Sequence, residues 1–515
     1  MARPQGRGIL SPGAKNRGRW LEESLMRWFW LGRPAAISVG ERARRRVWVH
    51  LLPVLFCLYI LAYVDRSNIS VAKFGMNRSP ANGGLGFDES ILGFGSGVFF
   101  WGYWILEIPS TLSVERRGAR WVFLRILILW GLCAALMGFM GMPLLENLFG
   151  WLPRLPDFRG WPGLSAITRH WNGLGTNAES QFYFLRFMLG FFEGGFFPTV
   201  VMYLSIWFNT EHRAKAMASF MAAIPLSNFL GTPLSQWIGD HVHWGDLAGW
   251  RWVYILEGTA AVLAGVAVLF SLPDRPHSVV WLPPEEKDWL LNELDAERRG
   301  RAAREHGSWR EHLGIVALLT VVYFCQGAVA YGLSTFMPSI VKAEVGSSEQ
   351  HAAWITAFFY LVAFIGMQLN GWHSDRRQER IWHTATPTIM VGCGLLLVSY
   401  FQQAPLLGAF ALFFLVGGGL YTHMPAFWAI PTLFLSSTAA ASAIGFINMV
   451  GNLGGSVGPM IVGDAAKNND FATGLWRIAI FPLIGASTVL LIGYLRSRRG
   501  PRDEKIGQAK DGRWH

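Results

Sequence analysis

Long apolar runs recur along this chain, and they constrain its fold more than any other feature. A run of about 20 apolar residues crosses a hydrocarbon core of about 30 Å as a helix, which satisfies its backbone hydrogen bonds internally. The predicted spans are 47–72, 88–112, 119–141, 180–208, 213–240, 250–272, 313–340, 351–373, 384–403, 405–434, 438–464 and 474–495. The sequence therefore predicts an all-α membrane protein with twelve transmembrane helices.

The composition supports a membrane protein. Of the 515 residues, 52% are hydrophobic and only 15% are charged, whereas a soluble domain carries about 25% charged residues. The net charge of +11 argues little for nucleic-acid binding, because the basic residues cluster beside apolar runs, as they do in cytoplasmic loops. The four cysteines lie inside apolar runs without paired spacing or a nearby histidine cluster. No disulfide, metal site or cofactor is therefore expected.

The distribution of basic residues predicts the orientation in the membrane. The arginine-rich segment 1–46 is expected to be a cytoplasmic tail, and with twelve spans the segment 496–515 lies on the same side. The charged loops at 115–120 and 375–380 then also face the cytoplasm. We expect a monomeric, multi-pass protein of the plasma membrane, which is the inner membrane in a bacterium, with the lipid bilayer as its surroundings.

Two connections between spans are longer than the others. Residues 142–179 contain tryptophans, prolines and glycines with little net charge, and this composition predicts an ordered external insertion. Residues 273–312 contain a strongly charged segment with helical pairing of acids and bases, and they are expected to form a cytoplasmic central loop. This loop separates a first bundle of six helices, 47–272, from a second bundle, 313–495.

A charged loop pattern occurs at the same place in both halves. Residues 111–120 read TLSVERRGAR, and residues 371–380 read GWHSDRRQER. One such loop would be no more than a solvated turn, but its repetition predicts two pseudo-symmetric bundles, as in secondary transporters. The residues to which we assign a gating role at these cytoplasmic loops are Glu115, Arg116, Arg120, Asp375, Arg376 and Arg380.

Asp65 and Arg66 place an acid and a base side by side near the end of the first span. A charge within a membrane helix is costly, by about 2.5–3.5 kcal/mol on insertion scales, so it persists where it faces a protein interior or a watery cavity. Neighbouring residues point about 100° apart on a helix, so the two side chains are expected to have different partners. We interpret them as part of a substrate pathway. The alternative is that Asp65 is an interfacial residue.

Arg186, Gly190 and Glu193 lie along one face of the fourth span. A guanidinium there cannot lose its charge and offers a lasting counter-charge for a carboxylate. Glu193 in the same setting is expected to take up and release protons, as proton coupling requires. Alternatively, Arg186 and Glu193 form a buried structural pair. Gly190 lets another helix or a ligand approach closely.

Four stretches resemble the anion:cation symporter family of the major facilitator superfamily. They are 63–72, 99–110, 186–198 and 249–258. The resemblance extends over residues 47–495 and implies alternating access by two six-helix bundles. It also implies import of a small organic anion, such as a hydroxy-dicarboxylate, a sugar acid or an aromatic carboxylate, together with protons.

The resemblance implies roles for individual residues of the first span. Arg66 would bind the carboxylate of the substrate, Tyr63 would hydrogen-bond it, and Asp65 would exchange the proton. In the second half, Asn448 and Asn452 share a helix face, and their spacing alone leaves a ligand role and a packing role equally open. The resemblance favours Asn448 as a ligand.

Large aromatic residues supply candidate walls for the substrate site. Tyr103 and Trp428 are taken as substrate-binding residues, and Trp101 is considered with them. Aromatic side chains at such positions more often serve in packing.

Three function classes are compared. An importer leads, and an exporter of a metabolite or drug on the same fold is the alternative, although the fifth span lacks the glycine-dense run typical of proton antiporters. A membrane enzyme or a non-transporting sensor comes third. The sequence contains neither a phosphate-binding Gly-Lys-Ser/Thr motif nor a zinc-binding His-Glu-x-x-His motif. We therefore do not expect an enzyme.

Overall fold

The computed structural model describes residues 38–156, 162–302, 312–401, 405–435, 437–467 and 470–498. Within these ranges the chain is helical apart from short turns and loops, and it contains no β-strand. The predicted tails fall outside them, except for residues 38–46 and 496–498. The fold is all-α, as the apolar runs predict.

The first half of the chain forms a series of helices. They are α1 (Val39–Ser67), α2 (Ile69–Met76), α3 (Glu89–Arg117), α4 (Ala119–Met137), α5 (Pro143–Gly150), α6 (Pro162–Asn172), α7 (Ala178–Glu193), α8 (Phe196–Trp207), α9 (Thr210–Met221), α10 (Ala223–His241) and α11 (Gly249–Ser271). The short α5 and α6 lie in the long connection between the third and fourth predicted spans.

The central connection and the second half continue the pattern. The helices are α12 (Pro284–Ala302), α13 (Leu313–Val345), α14 (Glu349–Arg377), α15 (Ile381–Tyr400), α16 (Pro405–Phe410), α17 (Met424–Ala429), α18 (Ser437–Gly451), α19 (Gly454–Ala466) and α20 (Phe471–Arg498), with a π-helix at Ala411–Gly417. Below, the terminal end denotes the end of the helical bundle where α1 begins and α20 ends. The opposite end is the far end.

Eight helical segments of the described residues are long and apolar enough to cross a membrane. They are Val39–Met76, Ala119–Met137, Ala178–Trp207, Gly249–Ser271, Leu313–Val345, Glu349–Arg377, Ile381–Tyr400 and Phe471–Arg498. The second, fifth, tenth and eleventh predicted spans are helical too, but their helices are more polar or break into shorter pieces. The count of twelve spans therefore stays a prediction.

The first helix begins earlier than its apolar run. Ser38 caps α1 by accepting a hydrogen bond from the backbone N–H of Glu41 at 3.3 Å, so the helix starts eight residues before the predicted span at 47. Its arginines pair with acids on α12: Arg46 Nε lies 2.9 Å from Glu286 Oε2 and Arg44 Nη1 lies 3.7 Å from Glu293 Oε1. Hydrophobicity cannot reveal this extension, because polar contacts stabilise it.

Glycines set the closest helix contacts within the first half. A Cβ atom added at Gly190 of α7 would lie 1.9 Å from the carbonyl oxygen of Phe99 on α3, so only a glycine allows this contact. Gly131 on α4 and Gly258 on α11 bring a second pair of helices together in the same way. In the second half α15 packs against α20, and α13 packs against α19.

The two halves meet along α3 with α19 and along α10 with α14. At the far end they are joined by ion pairs between Arg78 and Glu349 at 3.3 Å and between Asp88 and Lys467 at 3.6 Å. Each partner in these pairs is at least partly exposed, so each contributes at most about 1 kcal/mol. These weak ion pairs connect the two halves at the far end, and they can break at little cost when the halves move.

Candidate functional site

Arg66 lies in the last turn of α1, where the two halves meet. Its Nε donates a hydrogen bond to Glu193 Oε1 of α7 at 2.6 Å, and its Nη1 donates to the hydroxyl of Tyr331 on α13 at 3.0 Å. The hydroxyl of Tyr63, one turn back on α1, lies 3.3 Å from that of Tyr331. One guanidinium therefore connects three helices from both halves of the protein.

Aromatic rings enclose the same guanidinium. The Arg66 Cζ atom lies 4.9 Å from the ring centre of Tyr63, 5.0 Å from that of Tyr103 and 5.5 Å from that of Phe99. The Arg66 side chain is 9% exposed and that of Glu193 is fully buried. A cation–π contact with a desolvated ring contributes about 2 kcal/mol. The site can thus hold a buried positive charge beside one carboxylate.

Asp65 points away from Arg66, as the 100° rule predicts. Its carboxylate accepts hydrogen bonds from Trp130 Nε1 of α4 and from Asn68 Nδ2, the latter at 3.1 Å. The residue is 1% exposed. Asp65 is therefore a core residue of the first half, and its interpretation as an interfacial residue is wrong.

Arg186 does not form the structural pair with Glu193 that we considered, because Glu193 binds Arg66 instead. The Arg186 guanidinium stacks over Phe99 at 5.2 Å, and its Nε donates to the carbonyl oxygen of Gly95 at 3.4 Å. Its buried Nη1 has no hydrogen-bond acceptor among the described residues. Arg66 and Arg186 thus lie on the same Phe99 ring as two buried cations.

The other predicted ligands occupy different positions. Tyr103 is buried against Arg66, as expected for a wall of the site. Asn448 of α18 donates to Glu107 Oε1 of α3 at 2.5 Å, so it links the two halves. Trp428 packs against Tyr323, with ring centres 4.9 Å apart.

Trp101 was wrongly considered as a wall of the site. It is 44% exposed and packs edge-on against Phe94 at 5.8 Å, on the opposite side of α3 from the buried Tyr103. Two residues along a helix turn the side chain by about 200°, which separates the two aromatic residues.

Three polar residues, Tyr331, Glu107 and Glu257, are not among the substrate ligands that the sequence predicts. Tyr331 is one of several polar residues in a long apolar helix, and this signal is too common to identify a ligand of Arg66. Glu107 and Glu257 carry a stronger signal, because buried acids are rare in membrane spans. Glu257 is 4% exposed and accepts a hydrogen bond from Ser235 at 2.6 Å.

The repeated loops have different partners in the two halves. In the second half, Arg380 pairs with Asp375 at 2.7 Å, while Arg376 stacks over the ring of Trp372 at 5.6 Å. In the first half, Arg120 Nε donates to the carbonyl oxygen of Leu272 at the end of α11, at 3.0 Å.

For the acid and the first arginine of the first-half loop, Glu115 and Arg116, the described residues give no hydrogen bond or ion pair between helices. Arg116 is exposed, and the side chain of Glu115 lies outside the described part of the chain. The first-half loop thus ties α4 to α11, whereas the second-half loop is braced within itself.

The described residues contain no group of three or more histidine, cysteine or acidic side chains that could hold a metal ion.

Comparison with known proteins agrees with this architecture. Residues 55–459 match the family described as Major Facilitator Superfamily. A protein of Agrobacterium vitis named "Putative tartrate transporter" is 35% identical over 463 residues, covering 88% of this chain and 92% of that protein. A "Quinolone resistance transporter" of Acinetobacter baumannii is 31% identical over 444 residues, covering 86% and 92%.

A solved structure shares the fold. It is a bacterial homologue of the human lysosomal transporter Spinster in an inward-facing and occupied conformation, with a TM-score of 0.64 and 15% identity, covering 88% of this chain and 98% of that chain. The chain belongs to the major facilitator superfamily. It is an integral, multi-pass transport protein, and its relatives indicate a secondary transporter of small organic substrates.

Proposed function

We propose that this protein imports a small organic anion together with protons. The observation that supports this most directly is the buried ion pair between Arg66 and Glu193, which shares its arginine with Tyr331 of the other half. Hydroxy-dicarboxylates, sugar acids and aromatic carboxylates are the candidate substrates, and the relative named as a tartrate transporter favours the first class.

Coupling follows from competition for one guanidinium. A guanidinium has five N–H donors, and a carboxylate can bind it through two parallel hydrogen bonds. Glu193 already occupies the Nε of Arg66 at 2.6 Å. If Glu193 takes up a proton, it loses its charge, and a substrate carboxylate can replace it as the counter-charge of Arg66. Proton uptake and anion binding therefore favour each other.

Other residues have supporting roles in this mechanism. Asp65 is the second proton-exchanging acid, and Arg186 is the cation beside it in the same core. Tyr63 and Tyr103 form walls of the site in the first half.

In the second half, Trp428 and Asn448 form the corresponding walls once the two bundles have moved. Asn448 must leave Glu107 to reach a substrate, and this exchange links binding to the motion of the halves.

The motion proposed is alternating access of two bundles, 47–272 and 313–495, about the central site. The charged loops with Glu115, Arg116, Arg120, Asp375, Arg376 and Arg380 gate the terminal end. The membrane arrangement is that expected from the basic residues: both tails and the central loop 273–312 in the cytoplasm, and the insertion 142–179 outside. The protein works in this proposal as a monomer in the plasma membrane.

Transport by purified protein in liposomes tests the proposal. With acid outside, uptake of radiolabelled L-tartrate, and of sugar acids and aromatic acids in parallel, should exceed equilibration several-fold and collapse when a protonophore is added. Glu193→Gln should abolish this accumulation while exchange of substrate continues. Asp464→Asn is the matched control, because Asp464 is an acid with a 72% exposed side chain. Accumulation by E193Q equal to that of the unaltered protein would contradict the coupling role.

An exporter is the second candidate, and the relative named as a quinolone resistance transporter favours it. The same liposomes distinguish the two. An antiporter moves protons in the direction opposite to the substrate. Substrate added outside the liposomes should therefore drive protons outward and acidify the external medium. A symporter moves protons in the direction of the substrate.

A further inference from the structure

A groove lies on the outside of the first half at the terminal end, between the last turns of α3 and the first turns of α4. It is lined by Ser113, Arg117, Trp121, Val122 and Arg125 and has a volume of about 400 Å³. It is separate from the central site, because the residues of α4 that point inward, such as Phe123 and Ile126, are fully buried between the two.

The described lining of the groove is positively charged and contains no acid. Two of its lining residues are arginines and none is an acid. Arg125 donates one hydrogen bond, from Nη2 to the hydroxyl of Ser110 at 3.0 Å, and neither arginine forms an ion pair with a described residue. Most of their N–H donors thus remain available for an anion.

The residues around the groove are those expected where a helix leaves the hydrocarbon core. Arg125 is six residues into α4, about 9 Å from the start of the helix. Trp121 is 58% exposed, and further into the membrane Ile105 and Leu132 are exposed apolar residues of the same two helices. Tryptophan and arginine are enriched where the hydrocarbon core meets the headgroups.

We propose that this groove binds the phosphate of an anionic glycerophospholipid. Arg117 and Arg125 contact the phosphate from α3 and α4, and the Trp121 ring lies against the glycerol and the upper acyl chain. Basic pockets between membrane helices bind anionic headgroups in this way. The lipid sits beside Gly118, whose φ of 83° forms the sharp corner between the two helices. This site is independent of the transported substrate.

Native mass spectrometry of the purified protein tests the proposal with phosphatidylglycerol as the probe. The unaltered protein should retain one phosphatidylglycerol with an affinity at least tenfold higher than for phosphatidylcholine. Arg117→Gln combined with Arg125→Gln should reduce this retention at least tenfold. Arg496→Gln is the matched control, because Arg496 is exposed at the same end of the protein, and it should leave retention unchanged.

Two comparisons in the unaltered protein keep the test decisive even if the double variant does not fold. Equal retention of the two lipids would overturn the proposal, as would displacement of phosphatidylglycerol by inorganic phosphate at equal concentration, which would indicate a free-anion site. The single variant Arg117→Gln, altered at an exposed residue, should fold and lose part of the retention. Unchanged retention in both variants would also overturn the assignment.

Discussion

Replacing Glu193 by glutamine is expected to destabilise the protein more than replacing its partner Arg66 by methionine. Both side chains are at most 9% exposed and their atoms are 2.6 Å apart. Removing one member of such a buried pair costs about 3–5 kcal/mol, because the other charge is left uncompensated. After Glu193→Gln, the guanidinium cannot lose its charge. After Arg66→Met, the carboxylate can neutralise itself by taking up a proton.

The double variant completes the cycle. With both charges removed, no buried charge remains, so R66M/E193Q should be more stable than E193Q alone, and the coupling energy should be about 2–4 kcal/mol. For the single variant E193Q, 3–5 kcal/mol corresponds to a fall in Tm of about 3–5 °C in a chain of 515 residues. The exposed pair Arg78 and Glu349 provides the matched cycle, with an expected coupling below about 1 kcal/mol.

A thiol-reactive fluorogenic dye can follow unfolding in this protein. Cys133 and Cys325 are buried and become reactive when the helices separate. The exposed Cys57 and Cys393 should be replaced by serine in every variant so that they give no background. Additive falls in Tm for the two single variants would show that Arg66 and Glu193 do not depend on each other. The competition mechanism would then lose its basis.

Three further predictions concern binding, packing and pH. Arg66→Lys should raise the KM for anion uptake about tenfold to a hundredfold, because an ammonium cannot form the bidentate fork, and an unchanged KM would refute its role as anchor. Gly190→Ala should lower the Tm and the yield of folded protein severely, because its Cβ would lie 1.9 Å from the Phe99 carbonyl oxygen. Gly445→Ala is the matched control, because an added Cβ there would have no atom within 4 Å, and its Tm should be unchanged. Between α14 and α15, partial burial tends to raise the pKa of Glu379, but hydrogen bonds from the start of α15 outweigh it and hold the pKa below its usual 4.5. Glu379 therefore stabilises the protein above pH 4.5, and this contribution is lost as the pH falls through the lowered pKa. The difference in Tm between the unaltered protein and E379Q should therefore become smaller as the pH falls below 4.5. A difference independent of pH would contradict a stabilising role of the charged Glu379.

The sequence predicts the class of fold well because apolar length and basic loops are local properties. Charges within apolar runs likewise identify Asp65, Arg66, Arg186 and Glu193 as buried groups, since each is expensive in a membrane. The pairing among them is not local. Whether Glu193 binds Arg186 on its own helix or Arg66 on another depends on how three helices pack, and no periodicity contains that information.

The contribution of the second half was harder to predict for the same reason. Tyr331 is one of several hydroxyl-bearing residues in an apolar helix of 33 residues, and only the fold brings it to Arg66. Asn448 was recognisable as a polar residue at helix depth, but its partner Glu107 lies 341 residues away in sequence. Misplacing Trp101 had a different cause, because an aromatic residue suits a lipid-facing surface and a ligand wall equally well.

The helix α12 shortens the segment of chain that connects the two halves. Counted from the end of α11 to the start of α13, the halves are separated by residues 272–312, but α12 is clamped to α1 by ion pairs and ends at Ala302. Only the ten residues 303–312 then remain between a fixed point on one half and the first residue of the other. Ten residues reach at most about 36 Å. The two halves can therefore rock against each other, but the short connection limits how far they can separate. Each half stays at a high local concentration relative to the other, so contacts broken during the motion can re-form.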